Sequence, residues 1–245
     1  MKRSNLVMDN VSYNAEKISK GKQAKKLFYV RSNVGGNVGR VQPFHISSQE
    51  KAYYTLKTKV GFYREELEEM QKHFNLKGVF FNIPFNKISS DFVDLDRQDK
   101  VYASLEYDVE VIKKLGVVLN RLELDDLPFD NDDIAFARGL LILLNNITDC
   151  AEIVINCYLS NENLVQIKAN KDEAKINKIY DHLEKFINQR KNCISDVKEQ
   201  IKLLESMISR DSLLLGIKEI INFKGKIGQS VSLMDTLAIT IWSLC

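Results

Sequence analysis

The feature that most constrains the fold is a long apolar seam in the C-terminal half of the chain. Over residues 176–208, apolar side chains recur at alternating spacings of four and three, the period of one face of an α-helix. The members of the seam are Ile176, Tyr180, Leu183, Ile187, Arg190, Ile194, Val197, Ile201, Leu204 and Ile208. A single helix cannot bury such a stripe by itself, so the seam predicts packed helices.

Two packing partners for this seam remain open. The same period builds a coiled coil between two chains and an ordinary bundle within one chain. In the second case the seam would lie against a helix predicted over residues 132–160. Arg190 is the polar break in the seam, where it could extend its charged end to solvent or pair with a buried acid. We therefore expect a monomer or a homodimer.

The N-terminal part of the bundle is predicted to begin with a long helix over residues 47–75, capped by Ser47 or Ser48. Residues 76–95 lack helical periodicity and are rich in aromatic side chains. They predict an ordered loop that closes one end of the bundle, and its ring-bearing residues are Phe80, Phe81, Phe85 and Phe92.

Two shorter helices are predicted over residues 96–106 and 109–124. Asp108 lies just before the second apolar run, where its carboxylate can cap the new helix. The pair therefore predicts a corner at 107–108 rather than one continuous helix.

Two further segments complete the predicted bundle. The helix over residues 132–160 is apolar on most of its circumference, which is typical of a helix at the centre of a bundle. Residues 211–245 predict one or two helices after a kink near Gly216, Gly225 and Gly228. The apolar C-terminus SVSLMDTLAITIWSLC is about 16 residues long and contains Asp235, so we expect a packed helix rather than a membrane anchor.

The predicted organisation is one all-α domain, residues 47–245, with about five to seven helices and the aromatic-rich loop after the first. Residues 1–40 contain nine Lys or Arg against Asp9 and Glu16, a balance of +7, whereas the remaining residues balance to −5. Low apolar content and high charge predict a flexible basic leader. No signal peptide is visible, and no run of 18 or more apolar residues predicts a membrane span.

The sequence carries no recognisable motif for catalysis or metal binding. The four cysteines form no CxxC pair, and the histidines lie far from them, which argues against a zinc or iron–sulfur site. Cys150 and Cys157 are expected to be small buried residues on one helix face. The chain has no GxSxG, HExxH or ExxH pattern. We therefore expect no enzyme, no cofactor and no catalytic or metal site, and the sequence does not identify the partner-binding residues.

Residues 80–115, FFNIPFNKISSDFVDLDRQDKVYASLEYDVEVIKKL, resemble part of the Borrelia virulent-strain-associated surface lipoproteins, the family that includes complement regulator-acquiring surface protein 1. The shared pattern is an aromatic-Asn-Pro loop followed by a helix with a Tyr-Ala-Ser-Leu-x-Tyr core at 102–107 and an acidic cap at Asp108. The helical order continues in parallel to about residue 208, so the resemblance covers roughly residues 47–208.

The resemblance implies an all-helical virulence protein displayed on the spirochaete outer membrane by an N-terminal lipid anchor. Family members bind host or tick proteins without catalysis, and some bind complement factor H or late complement components, so complement evasion is the specific role expected. Neither a signal peptide nor a lipid-accepting cysteine is visible in this sequence. The surface location is therefore an expectation from the resemblance.

A second function is compatible with the residues alone. The chain could be a cytoplasmic helical protein whose basic leader contacts nucleic acid or acidic lipid. The salt dependence of binding distinguishes this function from that of a surface binding protein, because affinity for phosphates falls steeply as ionic strength rises.

Overall fold

The structure, a computed structural model, describes residues 46–75, 78, 81–124 and 132–245. Within these ranges the chain forms helices joined by turns and contains no β-strand, which confirms the predicted all-α class. The chain divides by its internal contacts into the units Met1–Phe44 and His45–Cys245. All described helices belong to the second unit, and the predicted leader lies outside the described residues.

The α-helices in the described ranges are α1 (Ser48–Asn75), α2 (Phe85–Ile88), α3 (Leu95–Ala103), α4 (Val109–Asn120), α5 (Asp132–Glu152), α6 (Asn161–Asn170), α7 (Glu173–Ser206), α8 (Arg210–Ile221) and α9 (Lys226–Leu244). A 3₁₀-helix at Ser90–Val93 and a π-helix at Ile153–Tyr158 accompany them. Eight of these α-helices have nine or more residues, one more than the predicted maximum. The additional helix is α6, which begins where the Ser160 hydroxyl accepts a hydrogen bond from the Asn163 N–H at 3.2 Å.

The first helix and the aromatic segment after it pack on the bundle core. Ser47 caps α1, since its hydroxyl accepts a hydrogen bond from the Glu50 N–H at 3.1 Å, as predicted. The following segment is not a loop throughout, because it forms α2 and the 3₁₀-helix. Phe85 and Phe92 are buried there, and Phe81 stacks on Phe74 with ring centroids 5.5 Å apart. Phe80 lies outside the described residues.

The predicted corner between α3 and α4 is confirmed. Helix α3 ends at Ala103, three residues earlier than predicted, and the chain reverses through Glu106 and Tyr107, whose φ angles are +53° and +54°. The Asp108 carboxylate then accepts a hydrogen bond from the Val111 N–H at 3.3 Å and caps α4. Left-handed backbone is strained for non-glycine residues, so the corner depends on these contacts and on the buried Tyr107 ring.

Helix α5 lies in the core, as its apolar circumference predicts. Together with the π-helix it is the one helix in the described ranges that is long and apolar enough to cross a membrane, with a mean hydropathy of 1.4 over its most apolar window. However, 56% of that window is buried inside the protein. Length and composition of this kind also fit the central helix of a bundle, which is the position that α5 takes among its neighbours α3, α8 and α9.

The π-helix corrects the prediction for Cys157. Cys150 is buried as expected, whereas Cys157 is exposed. The Leu159 N–H donates to the Val154 carbonyl at 3.0 Å, a spacing of five residues instead of four. This widened turn changes the helical register, so Cys157 leaves the helix face on which Cys150 is buried.

Helix α7 packs its seam within the chain, but not against the predicted partner. Its main neighbours are α9, α1 and α4, followed by α8, and not α5. Helix α5 packs mainly on α3 and α8. Ile179 takes the buried place expected for Tyr180, which is half-buried, and Ile208 is 101% exposed because α7 ends at Ser206. The remaining seam residues are buried.

Two helices, α8 and α9, complete the bundle. Helix α8 runs through Gly216 without a break, so the predicted kink there is wrong; a Cβ at that position would lie 2.4 Å from the Leu204 Cδ2 atom. The break lies at Asn222–Gly225, which confirms the predicted position near Gly225. At Gly228 a Cβ would lie 2.3 Å from the Phe223 Cα atom, so only glycine allows this close approach. The apolar C-terminal helix packs on α7, as predicted.

Candidate functional site

Two places in the described fold hold side chains in surroundings that packing alone does not explain. The first is an open groove of about 440 Å³ between α1 and α7. We call it the aromatic groove, and its residues are Tyr54, Thr55, Thr58, Lys59, Phe62 and Tyr180. Phe62 is 65% exposed and Tyr54 is 48% exposed, so two of its three aromatic side chains face solvent.

Helical periodicity places this groove on the outer side of α1. Tyr54, Thr58 and Phe62 follow one another at intervals of four residues and therefore share one face, along about 12 Å of helix. The buried side chains of the same helix, such as Tyr53 and Leu56, belong to the core. The aromatic surface is thus additional to the stripe that folding requires.

Charged side chains border the aromatic groove. Lys59 forms an ion pair with Glu184, which joins α1 to α7 across the groove. At its other end the Lys168 ammonium lies 5.4 Å from the centroid of the Tyr54 ring, within cation–π range. Aromatic side chains surrounded by a polar rim are typical of the surfaces that proteins use to bind one another.

The second place is a cavity of about 160 Å³ beside the middle of α7. We call it the Arg190 cavity. Parts of α1, α3, α5, the π-helix, α7 and the corner before α4 line it, and its charged residues are Arg64, Glu68, Asp99, Glu152 and Arg190. The exposed side chains of Gln71 and Asn156 are also part of the lining, so the cavity is open to solvent on one side.

Arg190 is buried without a carboxylate partner among the described residues. It is 2% exposed, and its guanidinium donates to the Tyr63 hydroxyl at 3.3 Å and to the Ala103 carbonyl at 3.4 Å. The Nε atom has no hydrogen-bond partner in the described structure. Both predicted arrangements are therefore wrong, because the side chain neither reaches solvent nor pairs with a buried acid. Its stem is held too deep in the seam for the charge to extend outward.

Acidic and phenolic groups lie on the other side of the Arg190 cavity. Asp99 accepts hydrogen bonds from the Tyr107 hydroxyl at 3.0 Å and from the Gln71 amide at 2.8 Å. Burial raises the pKa of Tyr107, and the nearby Asp99 carboxylate raises that pKa further. The phenol thus stays protonated, and its hydroxyl holds the Asp99 side chain in place. Glu152 lies 3.4 Å from the Lys100 ammonium.

Metal-binding groups and reactive thiols are the two kinds of chemical site that the described residues can be compared with. Within the described ranges no group of three or more His, Cys, Asp or Glu side chains is placed to hold a metal ion. Burial raises the pKa of the Cys150 thiol to about 12 and that of Cys193 to about 11. Thiols with such values are not nucleophilic near neutral pH.

The sequence singles out few of these residues. Arg190 is conspicuous as the polar member of the seam, but Asp99, Glu152 and Tyr107 come from other helices, and no spacing brings them together. For the aromatic groove a signal did exist: Tyr54 and Phe62 are aromatic residues of α1 at positions outside its buried face, which is formed by Ala52, Tyr53, Leu56, Val60 and Tyr63.

The resemblance of residues 80–115 to a family is based on packing residues, such as Tyr102 and Leu105, and not on residues of the aromatic groove. It assigns no ligand to either place. It stays a prediction from the motif, because neither a protein-family model nor a curated protein sequence matches this chain.

Proposed function

We propose that this chain is a non-enzymatic binding protein that recognises another protein through the aromatic groove. The observation that carries the proposal is the exposure of Phe62 and Tyr54 on the outer face of α1, beside Tyr180 of α7. Exposing two such rings without a partner costs free energy, since each has an apolar surface in contact with water. Binding a partner recovers that free energy.

The composition of the groove favours a protein partner over a small molecule. Tyr and Phe supply a large contact area at a small cost in side-chain entropy, and they dominate the binding energy of many interfaces. The groove is shallow and open, with threonine hydroxyls and the Lys59–Glu184 pair at its edge. Such groups can orient a partner segment by hydrogen bonds and charge.

The partner that we propose is a host or tick protein met at the surface of a spirochaete, with complement factor H or a late complement component as the first candidates. This choice rests on the resemblance of residues 80–115 to the Borrelia surface lipoproteins. In that role the domain would be held at the outer membrane by an N-terminal lipid anchor and would contribute to virulence by complement evasion.

A serum pull-down tests the proposal directly. The folded protein is immobilised, serum and tick gut extract are passed over it separately, and retained proteins are identified and then titrated one at a time. We expect at least one retained protein whose affinity falls tenfold or more for Phe62→Ala and for Tyr54→Ala, about 1.4 kcal/mol or more of binding free energy.

Phe223→Ala is the matched control, because Phe223 is a phenylalanine with 75% exposure outside the groove. That variant should bind as the wild type does. Equal losses for Phe62→Ala and Phe223→Ala would contradict a role for the groove. Retention of no serum or tick protein, together with a DNA or anionic vesicle affinity that falls steeply with salt, would favour the cytoplasmic alternative.

A further inference from the structure

The Arg190 cavity holds a charge that the described protein does not neutralise. Arginine stays protonated at any ordinary pH, so Arg190 cannot avoid the cost of burial by losing its proton. Two long hydrogen bonds to neutral oxygens, at 3.3 and 3.4 Å, are its only partners in the described residues, and its Nε is unsatisfied. An isolated buried charge is strongly unfavourable unless something compensates it.

Space for a compensating group lies next to this side chain. The cavity volume of about 160 Å³ corresponds to roughly five water molecules at liquid density. Part of its wall is apolar, formed by Leu67, Met70, Ala151 and Ile155. Water forms no hydrogen bonds with such a wall, whereas the apolar portion of a small organic molecule can pack against it.

Charges of both signs face the cavity, and this restricts the ligand. Arg190 and Arg64 lie on its lining together with Asp99, Glu152 and Glu68. A simple anion would be attracted by Arg190 but repelled by three carboxylates. A simple cation would be repelled by two guanidinium groups. A molecule that carries one charge of each sign can satisfy both sides.

The backbone around the cavity departs from regular helix at two points. Ile155 and Asn156 belong to the π-helix, and single π-turns inside α-helices occur frequently at functional sites. Tyr107 lies in left-handed backbone with φ +54°, and strained residues likewise concentrate at binding sites. Neither feature identifies a ligand by itself, but both occur in the wall that Arg190 faces.

From these observations we propose that the Arg190 cavity binds a small zwitterion, of the class of an α-amino acid with a short apolar side chain. The carboxylate lies toward the Arg190 guanidinium and accepts hydrogen bonds from its remaining N–H groups. The ammonium lies toward Asp99 and Glu152. The side chain covers the apolar wall. This site shares no residue with the aromatic groove and does not depend on the proposed recognition of a protein.

The test uses the full chain and four probes: L-alanine, acetate, methylammonium, and acetate with methylammonium added together. Thermal unfolding is followed for each. We expect L-alanine to raise the Tm, by about 5 °C or more at a hundredfold excess over its Kd. The separated ions should raise the Tm much less, because their two charges are not linked.

Arg190→Met removes the charge and keeps an unbranched side chain, so it should abolish the L-alanine response. Arg138→Met is the matched control, because Arg138 is exposed and pairs with Asp91 at 3.1 Å; its response should equal that of the wild type. If Arg190→Met does not fold, Glu152→Gln replaces it. That variant should weaken the response to L-alanine and strengthen the response to acetate.

Three results would overturn the proposal. The first is no Tm shift with L-alanine at any concentration up to the highest one used for acetate and methylammonium, which would mean that the cavity holds only water. The second is an equal shift with acetate alone, which would make it an anion site. The third is an undiminished L-alanine shift in folded Arg190→Met or in Glu152→Gln.

Discussion

The aromatic groove and the Arg190 cavity depart from the usual distribution of side chains in opposite directions. In the groove, Phe62 and Tyr54 keep aromatic surface in water, whereas in the cavity Arg190 keeps a charge away from water. Both places use the same pair of helices, α1 and α7. Helices α1 and α7 therefore contribute to both places, and the two places differ in the residues that surround the exposed rings and the buried guanidinium.

The two departures have different consequences for the fold. An exposed ring costs little stability, because the unfolded chain exposes it as well. A buried guanidinium loses its hydration only in the folded state, so its cost falls on the free energy of unfolding. Substitutions should accordingly separate the two places, with effects on binding alone in the groove and effects on stability as well in the cavity.

The largest effect is expected at Leu183, which is fully buried on α7 between the two places. Leu183→Ala removes core contacts and leaves a cavity, so it should lower the free energy of unfolding by about 2–5 kcal/mol in urea denaturation. Leu203→Ala, at an exposed position of the same helix, should change it little. If sedimentation instead shows an obligate dimer that Leu183→Ala converts into folded monomers, the seam packs between chains.

The next effect concerns the cavity and has the opposite sign. Arg190→Met replaces an uncompensated buried charge by an apolar side chain, which in other buried sites is neutral or stabilising. We expect the free energy of unfolding without ligand to rise by about 1–2 kcal/mol. Arg138→Met should stay within about 0.5 kcal/mol of the wild type. A loss of stability in Arg190→Met would mean that its bonds to Tyr63 and Ala103 outweigh the cost of the charge.

A smaller effect is expected at the corner that holds Tyr107 in the cavity wall. Asp108→Ala removes the cap of α4 and should lower the free energy of unfolding by about 1 kcal/mol. Asp172→Ala removes the cap of α7, where the carboxylate accepts from the Lys175 N–H at 2.8 Å, and should cost a similar amount. Only the first variant should also weaken the L-alanine response. Identical responses in both variants would separate the corner from the cavity.

The smallest effect on stability is expected in the aromatic groove. Phe62→Ala and Tyr54→Ala should each change the free energy of unfolding by no more than about 0.5 kcal/mol, because Phe62 is 65% exposed and Tyr54 is 48% exposed. Thermal and urea unfolding of the two variants measure this. A loss of 2 kcal/mol or more would show that the rings stabilise the fold. Groove and cavity would then no longer differ in their effect on stability.

Much of the fold follows from local sequence patterns. Period and caps alone predict α1 with its cap at Ser47, the corner at Asp108 and the long seam of α7. These features depend on residues within one or two turns of each other, so the sequence contains all that is needed. The start of α6 at Ser160 was also readable, but the continuing apolar run of α5 concealed it.

What the sequence could not predict depends on contacts between distant segments. The identity of the helices that cover α7 follows from the packing of the whole bundle, not from the seam. The register change at the π-helix, which exposes Cys157, has no pattern of its own. The surroundings of Arg190 combine Tyr63, Ala103 and Asp99 from two other helices, and no motif links these positions. Sites formed in this way become visible only in three dimensions.

The π-helix at Ile153–Tyr158 also bears on how this chain can vary in length. A turn closed by a five-residue spacing holds one residue more than the α-helical turn it replaces. Removing a single exposed residue there, such as Asn156, would restore regular α-helix without cutting any connection between helices. A one-residue deletion in this segment is therefore compatible with the bundle. A relative lacking that residue would retain the core but present a different cavity wall to Arg190, so a gap at this position marks a change of the proposed ligand site rather than a change of fold.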